Sequence, residues 1–263
     1  MDLALLLFVA LLRQEVVALK LLRINVPPYT LRGKNALLEC RYDLESDKLY
    51  SFSWYKDHEE FYRYVSRGDP TQHSYHVQGI KVDHRYSDHE RVLLQDVGLD
   101  TSGRYRCEVV AEAPNFNSVQ AEANMEVILL PQKGPTITGE EKIHATGDVL
   151  ALNCTSGRSH PAARLKWFIN GVQVKADSEI RHEQHGMIST VSSLRLELEP
   201  DHLSSKKINV RCEATVRSSH QANDPLIDTR STEVFVEGQA SLSRASAYLL
   251  VTLLLLQRLP FPL

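Results

Sequence analysis

Ala36-Leu37-Leu38-Glu39-Cys40, Phe52-Ser53-Trp54-Tyr55-Lys56 and Gly103-Arg104-Tyr105-Arg106-Cys107 are the three stretches that decide the fold. Side chains alternate between the two faces of a strand, so Leu38 shares a face with Cys40 and Tyr105 with Cys107, while Trp54 points away from Ser53 and Tyr55. Trp54 follows Cys40 by 14 residues, and Tyr105 precedes Cys107 by two. This order predicts two sheets packed face to face. A disulfide joins them, the tryptophan packs on it, and the tyrosine hydroxyl fixes the corner that enters the later strand.

Cys154, Trp167 thirteen residues on, and Cys212 repeat the pattern. Four cysteines allow three pairings, and the surrounding residues select Cys40–Cys107 and Cys154–Cys212. The order Cys…Trp…Tyr-x-Cys is the signature of an immunoglobulin-like β-sandwich. The expected fold is therefore all-β, with two tandem domains at 19–130 and 131–238. Sixty-seven residues separate the first cysteine pair, room for the extra edge strands of a variable-type domain. Fifty-eight separate the second, which suits a constant- or intermediate-type domain. Domain 2 lacks the corner tyrosine, because Val210 stands two before Cys212. In domain 1 the acidic residue of the usual Asp-x-Gly-x-Tyr-x-Cys falls one place early, at Asp100, with Thr101 in its slot. An ion pair from Arg85 to that aspartate is left open. Leu129-Leu130-Pro131-Gln132-Lys133-Gly134-Pro135 reads as a short, fairly stiff elbow between the domains.

The 263 residues are 43% hydrophobic and 24% charged, a globular composition with a formal net charge of −3. Residues 19–130 carry 14 basic and 17 acidic groups, and 131–238 carry 13 and 14. Nucleic acid is thus excluded as the main partner, since phosphate binding needs a basic excess. The apolar run Leu3–Leu12 is a signal-peptide core in length, and Val16 and Ala18 suit cleavage before Leu19, so 1–18 is expected to be removed. Ala247–Leu256 is apolar for only ten residues, about 15 Å as a helix against a ~30 Å hydrocarbon layer. Small residues at Gly238 and Ala240, an eight-residue spacer Gln239–Ser246 and that apolar tail fit a removable lipid-anchor signal over 239–263. Secretion and a short membrane span are the alternatives. Either way the chain is expected outside the cell, where disulfides persist.

Eleven histidines invite a metal or catalytic reading. His73 and His76, like His182 and His185, stand three apart in loop or strand sequence, where that spacing does not converge. No nucleophile elbow, phosphate loop or zinc-protease motif occurs, and no cysteine is left over. No enzyme activity, metal, cofactor or small-molecule substrate is therefore expected. Asp83, His84, Asp88 and His89 read as a solvated edge. Asn153-Cys154-Thr155 is the one glycosylation sequon, with Asn153 pointing outward from its strand.

The recognition candidates lie in domain 1. In Glu59-Glu60-Phe61-Tyr62-Arg63-Tyr64, strict alternation cannot bury four consecutive aromatic or arginine side chains. Either Phe61 and Arg63 or Tyr62 and Tyr64 are expected outward, with the register open. With Trp54 and Cys107 inward, Ser53, Tyr55, Arg104, Arg106 and Glu108 face out on the same side. Tyr and Arg are the types that interfaces favour. The competing expectation is an amphipathic edge strand whose aromatics merely lie along the surface. Domain 2 is expected to contribute little, having no comparable aromatic cluster.

Leu22-Arg23-Ile24-Asn25-Val26-Pro27-Pro28, Leu38-Glu39-Cys40-Arg41-Tyr42-Asp43, Trp54-Tyr55-Lys56-Asp57, Phe61-Tyr62-Arg63-Tyr64 and Gly103-Arg104-Tyr105-Arg106-Cys107-Glu108-Val109, followed by Ala111-Glu112-Ala113-Pro114-Asn115-Phe116, carry a resemblance. They resemble the Beaten path family of insect neuronal immunoglobulin proteins, over nearly the whole chain from Leu19. The resemblance implies a cell-surface or secreted protein of axon guidance that binds Sidestep-family receptors and modulates axon–axon adhesion. It adds Phe116 to the candidate contacts. A homophilic adhesion protein using the same face is the alternative.

Overall fold

The computed structural model describes residues 19–139, 143–145, 147–203, 207–218 and 226–239. The expected signal peptide at 1–18 and the tail from residue 240 onward lie outside the described residues. The chain divides after Leu129 into two compact units.

Domain 1 runs β1 (Lys20–Asn25), β2 (Tyr29–Leu31), β3 (Ala36–Asp43), β4 (Leu49–Lys56), β5 (Glu59–Val65), β6 (Gln72–Ser74), β7 (Val82–Asp83), β8 (Arg91–Leu94), β9 (Gly103–Ala111) and β10 (Ser118–Ile128). One sheet has the order β1-β3-β8-β7, and the other β2-β10-β9-β4-β5-β6. Pro27 and Pro28 lie where the first strand ends and the chain changes sheets; without N–H groups they cannot extend the β1 ladder. Beyond them β2 joins β10 in parallel. Alternation is clean on β3 and β9, where Ala36, Leu38 and Cys40 meet Tyr105, Cys107, Val109 and Ala111 between the sheets, all buried.

Domain 2 runs β11 (Thr136–Thr138), β12 (Ile143–Ala145), β13 (Val149–Thr155), β14 (Arg164–Ile169), β15 (Val172–Val174), β16 (Ser178–Gln184), β17 (Met187–Glu197), β18 (Lys207–Arg217) and β19 (Leu226–Gln239). Its sheets have the orders β11-β13-β17-β16 and β12-β19-β18-β14-β15. Asn170-Gly171 turns β14 into β15 with both residues at positive φ, the two-residue hairpin that Asn-Gly favours.

Disulfides Cys40–Cys107 and Cys154–Cys212 join the sheets of each domain, each across a Cα separation of 6.4 Å. Closing loops of 67 and 58 residues removes roughly 4 kcal/mol of unfolded-chain entropy apiece. Trp54 and Trp167 are fully buried opposite Cys107 and Cys212 in cross-strand register. Trp167 donates its indole N–H to Ser192 Oγ at 3.0 Å, whereas the buried indole N–H of Trp54 has no partner among the described residues.

The corner before β9 departs from the common arrangement as its sequence does. Tyr105 donates its hydroxyl to the carbonyl of Thr101. Thr101 accepts from the Gly98 N–H at 2.9 Å and donates to the Gly79 carbonyl at 2.7 Å. With Asp100 out of place, Arg85 pairs with Asp83 instead, Nη2 to Oδ2 at 2.9 Å. Asp83 is 6% exposed. It is a buried anchor for its loop, which corrects the expectation of a solvated edge at that position.

Candidate functional site

The outer face of β5-β4-β9-β10 holds most of the candidate residues, and cross-strand register sets them in rows. Arg63, Ser53, Glu108 and Gln120 form one row. Glu60, Tyr55, Arg106 and Glu122 form the next, and Arg104 with Asn124 a third. The polar contacts run diagonally between rows. Arg63 donates Nε and Nη2 to the two oxygens of Glu60, each at 2.7 Å. Tyr55 donates its hydroxyl to Glu108 Oε2 at 2.8 Å. Arg106 Nη1 donates to Gln120 Oε1 at 3.0 Å, and Arg104 Nη1 to Glu122 Oε2 at 3.2 Å. Three arginines therefore face three glutamates, and the face is locally neutral.

At the centre, the Arg106 guanidinium lies 4.2 Å from the Tyr55 ring centroid. This cation–π stack leaves Arg106 Nε buried with no acceptor among the described residues. Burial, and then the adjacent Glu108 carboxylate, push the Tyr55 hydroxyl above the ordinary tyrosine range, so it remains a donor at neutral pH. The near turn is tightly built. Asp57 Oδ1 accepts the Arg104 N–H at 2.9 Å. A Cβ on Gly103 would fall 2.6 Å from Asp57 Oδ2, so that position admits only glycine without a shift.

The Phe61–Tyr64 segment does not alternate. Trp54 pairs with Tyr62 and Tyr55 with Glu60, which leaves Phe61 as an extra residue in β5. This bulge turns two successive side chains inward. Phe61 and Tyr62 are both 0% exposed. Phe61 meets Tyr105 edge-on at 6.0 Å, and Tyr62 donates its hydroxyl to the Asp88 carbonyl at 3.0 Å. Tyr64 is half-buried against the core, 5.5 Å from His89. Neither expected alternate pair is outward; of the four, Arg63 alone lies in the polar lattice. Phe61 and Tyr62 are core residues, which corrects their placement on the recognition surface.

Phe116 lies off the sheet, in the β9–β10 loop, 63% exposed and at φ +48°. Asn115 and Asn117 on either side donate to the two carboxylate oxygens of Asp47, at 2.8 and 3.1 Å. With Tyr50, Val65 and Ala113 it lines a groove of about 270 Å³, beside the Arg67–Glu112 ion pair of 2.9 Å.

Domain 2 also carries an aromatic–arginine stack, contrary to expectation. The Arg211 guanidinium lies 4.1 Å from the Phe168 ring centroid. The local sequence signal is the recurrence of aromatic after tryptophan and Arg-Cys-Glu around the second cysteine. Asn153 is exposed on the opposite sheet, its Oδ1 accepting from Ser193 Oγ at 2.7 Å. Gly238 is paired with His144 near the end of β19.

Two stapled sandwiches, the first with an ordered polar sheet face, define a chain of immunoglobulin type. The immunoglobulin V-set domain matches residues 27–128, and the CD80-like C2-set immunoglobulin domain matches 132–223. The chain belongs to the immunoglobulin superfamily. Human Cell adhesion molecule 1 is 27% identical over 108 residues, 41% of this chain and 23% of that protein. Rat Cell adhesion molecule 2 is 26% identical over 161 residues, 58% of this chain and 32% of that protein. The chain spans a third or less of the length of these relatives. Among solved structures, the D1–D2 fragment of Rst aligns with a TM-score of 0.55 at 18% identity, over 84% of this chain and all of that one. Mouse nectin-like molecule 4 aligns at 0.52 and 20% identity, over 82% and 67%. At that identity the structures share the fold alone. The protein is an immunoglobulin-superfamily chain with a V-set domain followed by a C2-set domain, similar in part to cell adhesion molecules.

Proposed function

We propose that the chain works outside the cell as a recognition protein, binding a Sidestep-family surface receptor through domain 1 and so modulating axon adhesion and guidance. The observation that carries this is the ordered Tyr55–Arg106–Glu108 cluster at the middle of the β4–β9 face. Tyr and Arg dominate interface energies, and side chains already locked by neighbours lose little entropy on binding. The cell-adhesion relatives and the family resemblance support the partner class. Export and a lipid anchor at Gly238 complete the proposal: cleavage there would spare all of β19 but Gln239.

The test is binding of the purified chain to a panel of Sidestep-family ectodomains. Tyr55→Ala and Arg106→Ala should each weaken binding by about 10- to 100-fold, equivalent to roughly 1–3 kcal/mol, with unchanged melting. Full-strength binding by both variants would remove the face from the interface. Homophilic contact through the same face is the second reading, favoured by its alternating charges; loss of self-association in Tyr55→Ala would select it.

A further inference from the structure

The larger sheet of domain 1 is open along most of β10. That strand spans Ser118–Ile128, and β2 lies beside it only at Glu126–Ile128. From Ser118 to Met125 no described residue pairs with its outer edge. The register fixes which backbone groups this leaves. The Ala111 N–H bonds the Asn117 carbonyl on the β9 side at 2.8 Å, and the Glu126 N–H bonds the Pro28 carbonyl on the β2 side at 3.1 Å. Pairing with β9 is unbroken from Ser118 to Met125, so alternation turns the N–H and C=O of Ser118, Gln120, Glu122 and Asn124 outward.

An open edge of this length is a template for another strand, and proteins usually blunt it with charge, proline or a bulge. The other long edges among the described strands are blunted. Strand β1 is bulged after Leu21 and carries Lys20 and Arg23, β16 carries Arg181 and Glu183, and β19 carries Arg230 and Glu233. The open part of β10 has no bulge and no proline, and its one charge, Glu122, is neutralised by Arg104 at 3.2 Å. Its inward side chains, Val119, Ala121 and Ala123, pack on the core but stay only half-buried.

We infer that this edge pairs antiparallel with the same edge of a second copy, about a two-fold axis at Ala121. That centre sets Ser118 opposite Asn124 and Gln120 opposite Glu122, so all four outward residues exchange both backbone bonds with the other copy. A centre at Glu122 would put two carboxylates face to face and drive Ser118 into the place held by β2. A centre at Gln120 would carry Asn124 past the strand end into the β9–β10 loop. About Ala121, the two copies of that residue meet each other, small enough for the close approach of a non-hydrogen-bonded pair, and Val119 covers Ala123. The side chains fit without breaking their present bonds. Gln120 gives its oxygen to Arg106, and Glu122 gives Oε2 to Arg104. The Gln120 amide N–H is left to donate to the other oxygen of Glu122 across the axis. The contact is isologous, as a closed dimer requires. Tyr55 lies two strands in from the seam, so the dimer does not depend on the receptor proposed above.

Sedimentation equilibrium of the purified chain tests the inference. The wild type should dimerise reversibly. Gln120→Glu should weaken the dimer by about tenfold or more with unchanged melting, because the like-charge pair with Glu122 occurs twice about the axis. Adding Glu122→Gln exchanges the two groups and should restore most of that loss. The register has its own readout. Under mild oxidation Ala121→Cys should form a disulfide between copies, and Ala123→Cys, which faces Val119, should not. Tyr55→Ala should leave the dimer intact, which separates it from any contact through the β4–β9 face. A chain that stays monomeric, no rescue by the exchange, equal cross-linking of the two cysteine variants, or a dimer lost in Tyr55→Ala but not in Gln120→Glu overturns the inference.

Discussion

Phe61→Ala tests the bulge in β5, because an aromatic at this position reads from sequence as surface or core with equal ease. The ring is 0% exposed and packs edge-on against Tyr105 at 6.0 Å. Its deletion leaves a hole between two rigid strands in a domain stapled by Cys40–Cys107, where collapse is restricted. A buried Phe→Ala change costs about 3–5 kcal/mol. At about 4–8 °C per kcal/mol for a domain of this size, the melting temperature of domain 1 should fall by at least 10 °C. Arg63→Ala is the internal control. Its guanidinium is partly exposed in a short-range pair with Glu60, worth roughly 0.5 kcal/mol after solvent screening. Urea denaturation of the two variants and wild type, followed by tryptophan emission, gives the comparison. If Phe61→Ala melts with the wild type and Arg63→Ala does not, the segment alternates regularly and the bulge is wrong.

Ser192→Ala should cost domain 2 about 1–3 kcal/mol, because it strands the buried indole N–H of Trp167; the denaturation midpoint of domain 2 reads it. Alkali should unfold domain 1 before domain 2. Burial raises the hydroxyl pKa of Tyr42, Tyr62 and Tyr105, and residues 131–239 contain no tyrosine. A raised folded-state pKa contributes stability that is complete below the unfolded tyrosine value near 10 and is lost as pH rises above it. Tyrosinate absorbance from these three side chains should therefore appear only with unfolding. Phosphatidylinositol-specific phospholipase should release the protein from cell surfaces if Gly238 carries a lipid; retention on the membrane would count against the anchor.

Much of this protein is determined locally in the sequence. The cysteine, tryptophan and tyrosine positions fix the two sandwiches, since a disulfide and its packed tryptophan tolerate few strand spacings. Alternation around Trp54 and Cys107 places Tyr55, Arg104, Arg106 and Glu108 on one outer face, because a strand has only two sides. The displaced Asp100 already marks the altered corner. What the sequence leaves open depends on pairing across strands. The bulge that buries both Phe61 and Tyr62 exists only in the register between β4 and β5, and no period-two pattern within β5 reveals it. Glu108 accepting from Tyr55 and Arg211 stacking on Phe168 are likewise settled by residues brought together from different strands. The open edge of β10 has the same origin: its alternation reads like that of any half-buried strand, and only the sheet order, with β2 stopping at Glu126, leaves Ser118–Asn124 without a neighbour among the described residues.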